Sequence, residues 1–336
     1  MSHIVQIKPS GYLLFVAEDE SVLDAAIRQG YEFPYSCGSG TCGTCMGKVL
    51  SGTFTYGEVE PYALDDTAIK EHFALFCSVK PTSDMIIEIE DVYGPECLPV
   101  RKAEYCVNDY KLLGNDVYQV FLDPKKNKIQ YHAGQYLKII CDDGIPLPFS
   151  IANAPTVDGR LELQIKAASD NPYTTEIIEK VKHKTVLSLR GPYGKVIYRS
   201  EPDLPILFVA GGTGIVPLKA IIEQACARKD PRAMHLYWGA QNITDLYLRE
   251  QMQHLADTHE HFDFTPVIQN TPEDWQGASG LVHEIIDAAH DDLSGYQVYT
   301  NGPTEMIYAI FDAFTAKGLK PQLIFSDTFE YAPRES

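Results

Sequence analysis

Cys37-Gly38-Ser39-Gly40-Thr41-Cys42-Gly43-Thr44-Cys45 is followed about thirty residues later by Cys77, which closes the apolar run Phe73-Ala74-Leu75-Phe76. Three thiols in one tight loop with a fourth standing alone is the spacing of a 2Fe-2S site, which needs four thiolates and a backbone that wraps inorganic sulfide closely. Gly38, Gly40 and Gly43 supply the wrapping, since glycine enters left-handed conformations without steric cost and leaves room for the cluster. Successive backbone N–H groups turned inward offset its negative charge. The competing reading is structural zinc, whose ligands usually arrive as two short CxxC-like pairs. The spacing favours the cluster over zinc, and over a disulfide more strongly still.

Working outward, 336 residues suffice for two or three domains. A hydrophobic fraction of 45% is that of an ordinary globular chain able to bury good cores. Met1-Ser2-His3-Ile4-Val5-Gln6-Ile7-Lys8-Pro9 lacks the basic start and apolar run of a signal peptide, and no apolar stretch approaches the length of a membrane span. The expected setting is cytoplasmic. There, the 8 cysteines are expected as free thiols and metal ligands rather than bridges, with Cys97, Cys106, Cys141 and Cys226 read as small buried side chains. A net charge of −18 argues against nucleic acid, whose phosphates it repels. Segments such as Glu18-Asp19-Glu20 and Asp65-Asp66 suit either a basic partner patch or plain solubility.

Around the cysteine loop, Ile4 to Lys8 and Leu13 to Val16 read as a hairpin about Pro9-Ser10-Gly11. Ser21 and Asp24 form a capping box for a helix ended by Gly30. Lys48 to Leu50, Ala74 to Val79 and Met85 to Ile89 supply further strands. The expectation is a β-grasp unit over residues 1–93, closed by the turn-rich Gly94-Pro95-Glu96-Cys97-Leu98-Pro99. From there to Arg199 short strands dominate (Val117 to Leu122, Gln135 to Ile140, Leu161 to Ala167, Val186 to Arg190), as in a small antiparallel barrel spanning 102–200. A helix capped by Asn171 with Pro172 at its first position runs to about Lys182; its start either receives a pyrophosphate or merely begins a helix.

Beyond Pro202, strands and helices alternate over 203–336. Ile206 to Ala210, Met234 to Trp238, Asp263 to Ile268, Gln297 to Thr300 and Leu323 to Phe325 predict a five-stranded parallel sheet. Helices near Val216 to Ala227, Leu246 to Ala256, Val282 to Ala289 and Glu305 to Ala316 should cover both faces. Ligands belong beyond the carboxyl ends of such strands. The turn Gly211-Gly212-Thr213-Gly214 follows the first strand and opens a helix, a suitable place for phosphate. It departs from the dinucleotide fingerprint, because Pro217 takes the third glycine position and Trp238-Gly239-Ala240-Gln241 ends the next strand without an acid.

Residues 1–93 resemble a plant-type ferredoxin domain, with Gly38 where many such loops carry arginine. Pro148-Phe149-Ser150-Ile151-Ala152, Gly191-Pro192-Tyr193-Gly194, Asn301-Gly302-Pro303 and Phe325-Ser326-Asp327-Thr328-Phe329 make residues 102 to 331 similar to the ferredoxin-NADP reductase superfamily. Within it, Trp238-Gly239, Asp245-Leu246-Tyr247 and the C-terminal motif are most similar to NAD(P)H-flavin reductases and CDP-6-deoxyglucoseen reductases. The fold class implied is multi-domain: β-grasp ferredoxin (α+β), antiparallel β-barrel flavin domain, and α/β parallel-sheet nucleotide-binding domain.

The resemblance implies that Tyr136, Pro148, Phe149, Ser150 and Ile151 hold flavin, with the Phe149 ring against the ring system and the Ser150 hydroxyl near N5. It implies that Gly211, Gly212, Thr213, Gly214, Pro217 and Gly239 hold the nicotinamide nucleotide, with Asn301, Gly302 and Pro303 beside its ring. Asp327 and Phe329 match the acidic and aromatic residues near the flavin, so Ser150, Asn301 and Asp327 are the catalytic candidates. The family's arginine before this motif is Leu147 here. Loss of an arginine–phosphate contact costs on the order of 1.5–3 kcal/mol, roughly ten- to a hundredfold in affinity. FAD, FMN and a loosely held flavin therefore all stay open. With no Arg or Lys at Gly239-Ala240-Gln241-Asn242 to pair with a 2′-phosphate, NADH is favoured over NADPH.

A nicotinamide yields two electrons as hydride, whereas one 2Fe-2S cluster takes them singly, so a flavin between them is chemically required. The expectation is an NADH-dependent iron–sulfur flavoprotein reductase feeding a separate electron-acceptor protein, such as an oxygenase or a dehydratase. Its rivals are an NAD(P)H-flavin reductase using free flavin as substrate, which Leu147 favours, and a non-enzymatic redox sensor or carrier.

Overall fold

The computed structural model describes residues 2–95, 97–114, 116–168 and 171–332, so Glu96 of the expected boundary turn lies outside the described residues. The chain forms two compact units, Met1–Cys97 and Leu98–Ser336.

In the first unit, β1 (Ser2–Lys8), β2 (Leu13–Ala17), β3 (Met46–Ser51), β5 (Phe73–Leu75) and β7 (Met85–Glu88) form one sheet in the order β2-β1-β7-β3-β5. β1 and β7 are parallel, the other pairs antiparallel. Across it lies α1 (Val22–Arg28), whose start is fixed by Ser21: its hydroxyl accepts the Asp24 N–H and donates to the Asp24 carboxylate at 2.7 Å. Val22, Leu23, Ala25 and Ala26 bury one face of α1 against β2. Gly30, at φ 78°, turns the chain away. A short ladder of β4 (Phe54–Tyr56) with β6 (Val79–Pro81) and the helix α2 (Asp66–Lys70) complete the unit.

The expected strand Ala74 to Val79 is two strands. The chain leaves β5 after Leu75, where the Phe76 N–H bonds the Cys45 carbonyl and the Ser78 N–H bonds the Leu75 carbonyl. That break takes Cys77 out of the ladder and turns it toward the cysteine loop. Cys97 is exposed, not buried, and its sulfur lies 2.9 Å from the Tyr12 hydroxyl; Cys106 is half-buried, while Cys141 and Cys226 are buried as expected.

The second unit opens with a long strand that the sequence reading did not single out, β8 (Arg101–Leu113). With β9 (Val117–Pro124), β10 (Tyr136–Ile140), β11 (Pro146–Ser150), β12 (Leu161–Lys166) and β13 (Val186–Tyr193) it gives a six-stranded antiparallel sheet ordered β11-β10-β13-β8-β9-β12. An Ile151–Leu163 bridge joins the two outer strands and closes the barrel. α3 (Pro172–Lys182) packs Ile177, Ile178 and Val181 into the barrel core. Asn171 caps it through the N–H groups of Tyr173 and Thr174. The Asn171 side chain thus occupies two of the donors at this helix start.

The remaining sheet is all parallel and has six strands rather than five, in the order β17-β16-β15-β14-β18-β19: β14 (Ile206–Gly211), β15 (Met234–Ala240), β16 (Phe262–Ile268), β17 (Ala278–Ser279), β18 (Gln297–Asn301) and β19 (Ile324–Phe325). Ile206, Phe208 and Ala210 of β14 face the core shared with α4 (Ile215–Ala227) and α5 (Arg249–Thr258). The alternate residues Leu207 and Val209 are equally buried but lie outside that core. They belong to the opposite face, on the side of α6 (Val282–Ala289) and α7 (Thr304–Ala316), since successive strand residues point to opposite faces. α5 starts at Arg249, not near Leu246, because Asn242 and Asp245 first close a single 3-10 turn. The short α8 (Thr328–Tyr331) ends the described chain.

Candidate functional site

The cysteine loop brings Cys37, Cys42 and Cys45 close to one another and to Cys77. The Cys37 N–H points at the Cys42 sulfur (3.5 Å), and Cys45 and Cys77 interact with each other. Inward-turned amides accompany them: Ser39 and Thr41 donate to the Cys37 sulfur at 3.4 Å, and Gly40 donates to Cys77 at 3.2 Å. Gly40 could not be another residue, since a Cβ there would sit 2.5 Å from the Glu58 carbonyl oxygen. The exposed Cys37 thiol is held down to about 5, first by the Thr41 hydroxyl and then by the Ser39 N–H. Cys42 is lowered by Thr44, whereas burial pushes Cys45 up to about 12. Among the described residues no three His, Cys, Asp or Glu side chains surround one ion position. Four thiols among amides turned toward them fit a two-iron cluster, whose negative charge those amides offset.

In the barrel, the register Tyr136–Ser150, Leu137–Phe149 and Lys138–Pro148 sorts the flavin candidates by face. Leu147 and Phe149 turn toward the barrel core, with Ile151 fully buried beyond them. Tyr136 and Ser150 share the other face with Lys138 and Pro148. There Tyr136 stacks on Tyr193 with centroids 5.5 Å apart and planes at 25°. The buried Gln135 amide holds the Gly194 carbonyl at 2.9 Å and so sets the loop beside Tyr136. Gly194, at φ 93°, has Tyr136 3.1 Å and an Asp327 carboxylate oxygen 3.3 Å from where a Cβ would be. Ser150, Tyr136 and Asp327 are thus brought together around a flat aromatic surface kept open by a glycine, which fits a flavin ring. Phe329 belongs to an aromatic group with Tyr308 and Phe311, each at 5.8 Å. Tyr193 stands in Gly191-Pro192-Tyr193-Gly194, and its stack on Tyr136 puts it on this face.

The nucleotide turn is built from backbone packed on backbone. Gly211 ends β14, and Gly212–Gly214 make one 3-10 turn before α4. A Cβ on Gly214 would lie 2.1 Å from the Asn301 carbonyl oxygen, and one on Gly302 3.1 Å from Gly211. The turn and Asn301-Gly302-Pro303 therefore form one surface at the carboxyl ends of adjacent strands β14 and β18. Gly212, at φ 52°, has open space around it and Thr213 is exposed. The buried Trp238 indole donates to the Gly212 carbonyl at 2.9 Å and fixes the turn from below. Pro217 is buried in the first turn of α4, and Gly239 faces Val282 at 3.1 Å, so both shape the packing beneath the turn. A cavity next to Gly212 and Thr213 is lined from the barrel side by Asp116 and Lys166, which pair at 3.5 Å. Lys166 carried no sequence motif; only the closed barrel puts it there.

Three family models match consecutive stretches: the 2Fe-2S iron-sulfur cluster binding domain (residues 5–82), the oxidoreductase FAD-binding domain (107–198) and the oxidoreductase NAD-binding domain (208–311). The chain is 34% identical over 98% of its length to the phenol hydroxylase P5 protein of Acinetobacter pittii, covering 95% of that protein. It is equally 34% identical, over 98% of its length and 99% of the other, to a CDP-6-deoxy-L-threo-D-glycero-4-hexulose-3-dehydrase reductase of Yersinia pestis. A cytochrome P450 reductase structure from Amycolatopsis superposes with a TM-score of 0.65 at 26% identity, covering 96% of this chain and 97% of that one. The fold and sites define an iron–sulfur flavoprotein oxidoreductase. The chain belongs to the ferredoxin-NAD(P)H reductase superfamily members that carry an N-terminal 2Fe-2S domain. Among the described residues no helix is long and apolar enough to cross a membrane.

Proposed function

We propose that this chain is the NADH-oxidising reductase of a multi-protein system, delivering single electrons to a separate protein of the oxygenase or dehydratase type in the cytoplasm. The four thiols and the amides turned toward them carry this reading: a one-electron centre stands in a chain whose other unit binds a two-electron donor. Flavin supplies the conversion from hydride to single electrons. The Gly211–Gly214 turn holds the nucleotide phosphates on backbone N–H groups at the start of α4. Asn301-Gly302-Pro303 bounds the nicotinamide and sets its distance from the flavin face. The Ser150 hydroxyl donates a hydrogen bond at the site of hydride arrival, and Asp327 settles the proton balance beside it. Cys37, Cys42, Cys45 and Cys77 hold the cluster as thiolates. Asp245, bonded to the Asn242 N–H at the end of β15, sets a negative charge where a 2′-phosphate would have to lie, which supports NADH.

Leu147, turned into the barrel core, supports the second reading, a loosely held flavin. NADH oxidation with an artificial one-electron acceptor, measured against added FAD, FMN and riboflavin, separates the two. Saturation at one equivalent supports a resident flavin. A rate that keeps rising as free flavin accumulates overturns it.

A further inference from the structure

Helix α4 starts at the nucleotide turn and is mainly apolar, with one lysine, Lys219, a turn before Glu223 and Gln224. Lys219 is 1% exposed, and all three hydrogens of its ammonium are used. Its Nζ lies 2.9 Å from the Ala152 carbonyl, 3.0 Å from Glu162 Oε2 and 2.8 Å from Glu223 Oε1. Ala152 and Glu162 belong to the barrel, and Ala152 stands two residues after Ser150. Its N–H is bonded in turn to the Glu162 carbonyl at 2.8 Å.

The other Glu162 oxygen accepts the amides of Gln119 and Gln164, both at 2.9 Å. Gln164 accepts the Tyr247 hydroxyl at 2.9 Å. The Tyr247 ring meets Trp238 edge-on at 5.4 Å, and the Trp238 indole holds the Gly212 carbonyl. Two routes therefore run from the barrel to the nucleotide turn, one starting at Ala152 just after β11 and the other on β12. One passes through Lys219 and helix α4, the other through Gln164, Tyr247 and Trp238.

A buried cation that leaves one domain to satisfy a carbonyl and a carboxylate of another is costly unless its geometry is fixed. Exposed or apolar side chains would join the two layers without that cost. Reaction geometry offers a reason for retaining it, since donor and acceptor must be held at about 3–3.5 Å for hydride transfer to be effectively unimolecular.

We propose that Lys219 is a positioning residue that locks the Ser150-Ile151-Ala152 segment of the barrel to the helix carrying the nucleotide turn, and so sets the approach of nicotinamide to flavin. The inference rests on the reductase reading given above. It assigns Lys219 no contact with either ligand.

The test compares wild type, Lys219→Met, and Lys219→Met combined with Glu162→Gln and Glu223→Gln. The triple variant leaves no buried unpaired carboxylate behind and guards against simple misfolding. The first readout needs no flavin: amide hydrogen exchange of the flavin-free proteins. Both variants should exchange at least tenfold faster at Ala152 and at Gly212 to Gly214, with Phe208 and Leu163 in the sheet centres unchanged. The second is single-turnover flavin reduction in the reconstituted proteins, where the limiting rate should fall about a hundredfold, with the half-saturating NADH concentration within threefold of wild type. Exchange that is unchanged, or faster uniformly across the unit, overturns the inference. So does a limiting rate within threefold of wild type in the triple variant. If wild type itself does not reduce flavin with NADH, the reductase reading fails, and the exchange experiment still decides whether Lys219 locks the two segments.

Discussion

Replacing Gly214 by alanine puts a methyl group where the structure has backbone. The new Cβ would lie 2.1 Å from the Asn301 carbonyl oxygen, 2.4 Å from its carbon and 2.7 Å from the Gly302 nitrogen, against an ordinary contact of 3.4–4 Å. None of these is a flexible side-chain end, so the turn and the Asn301-Gly302-Pro303 loop must part by more than an ångström. Overpacking of this kind costs about 3 kcal/mol, which for a unit of this size lowers Tm by roughly 6–12 °C. A misplacement of about 1 Å at the reacting centre costs on the order of a hundredfold in rate. Gly212→Ala is the control two residues away. It meets nothing within 4 Å and is strained only by its φ of 52°, at about 1–2 kcal/mol. Differential scanning calorimetry with stopped-flow flavin reduction by NADH reads both effects. If Gly214→Ala is as stable and as fast as Gly212→Ala, the turn and the Asn301 loop do not form one surface, and the placement of the nicotinamide fails with them.

Cys45→Ser should abolish the iron and sulfide content and all reduction of protein acceptors, while NADH still reduces flavin, because the two units are compact separately; coupled loss of both activities counts against that division. Lys166→Gln should weaken NADH binding about fivefold, the scale of an exposed charge contact, without changing the flavin. Asp230 is buried with Arg232; burial raises its carboxyl, but bonds from Arg232 and Tyr198 outweigh this and hold it below its ordinary 3.8. A depressed folded-state value stabilises the fold above the unfolded value and is lost as pH falls through the folded one. Asp230→Asn should therefore be less stable than wild type at neutral pH, with the gap in Tm closing below about pH 4.

Local pattern carried far in this chain. The cysteine loop, the alternation of strand and helix after Pro202 and the glycine turn were readable because each depends on neighbours in sequence. The apolar run before Cys77 hid the break between β5 and β6, since a bond from Phe76 to the distant Cys45 makes it. β8 could have been found, because buried Ala103, Tyr105 and Val107 alternate with Lys102, Glu104 and Cys106; the many charges obscured a period of two. Lys219 was invisible for a different reason. A lone lysine in a helix reads as a solvated side chain, and its carboxylate partner Glu162 is 57 residues away on another sheet. The places of Tyr193 beside Tyr136 and of Lys166 beside Gly212 and Thr213 likewise depend on the closed barrel.

The central claim is that electrons entering at the nucleotide turn reach the cluster within this chain. Anaerobic titration of the purified, flavin-loaded protein with NADH, followed by visible absorption and electron paramagnetic resonance, tests it directly. The account predicts that the flavin band bleaches and a reduced 2Fe-2S signal appears with no other protein present. A cluster that stays oxidised while the flavin is fully reduced would contradict it.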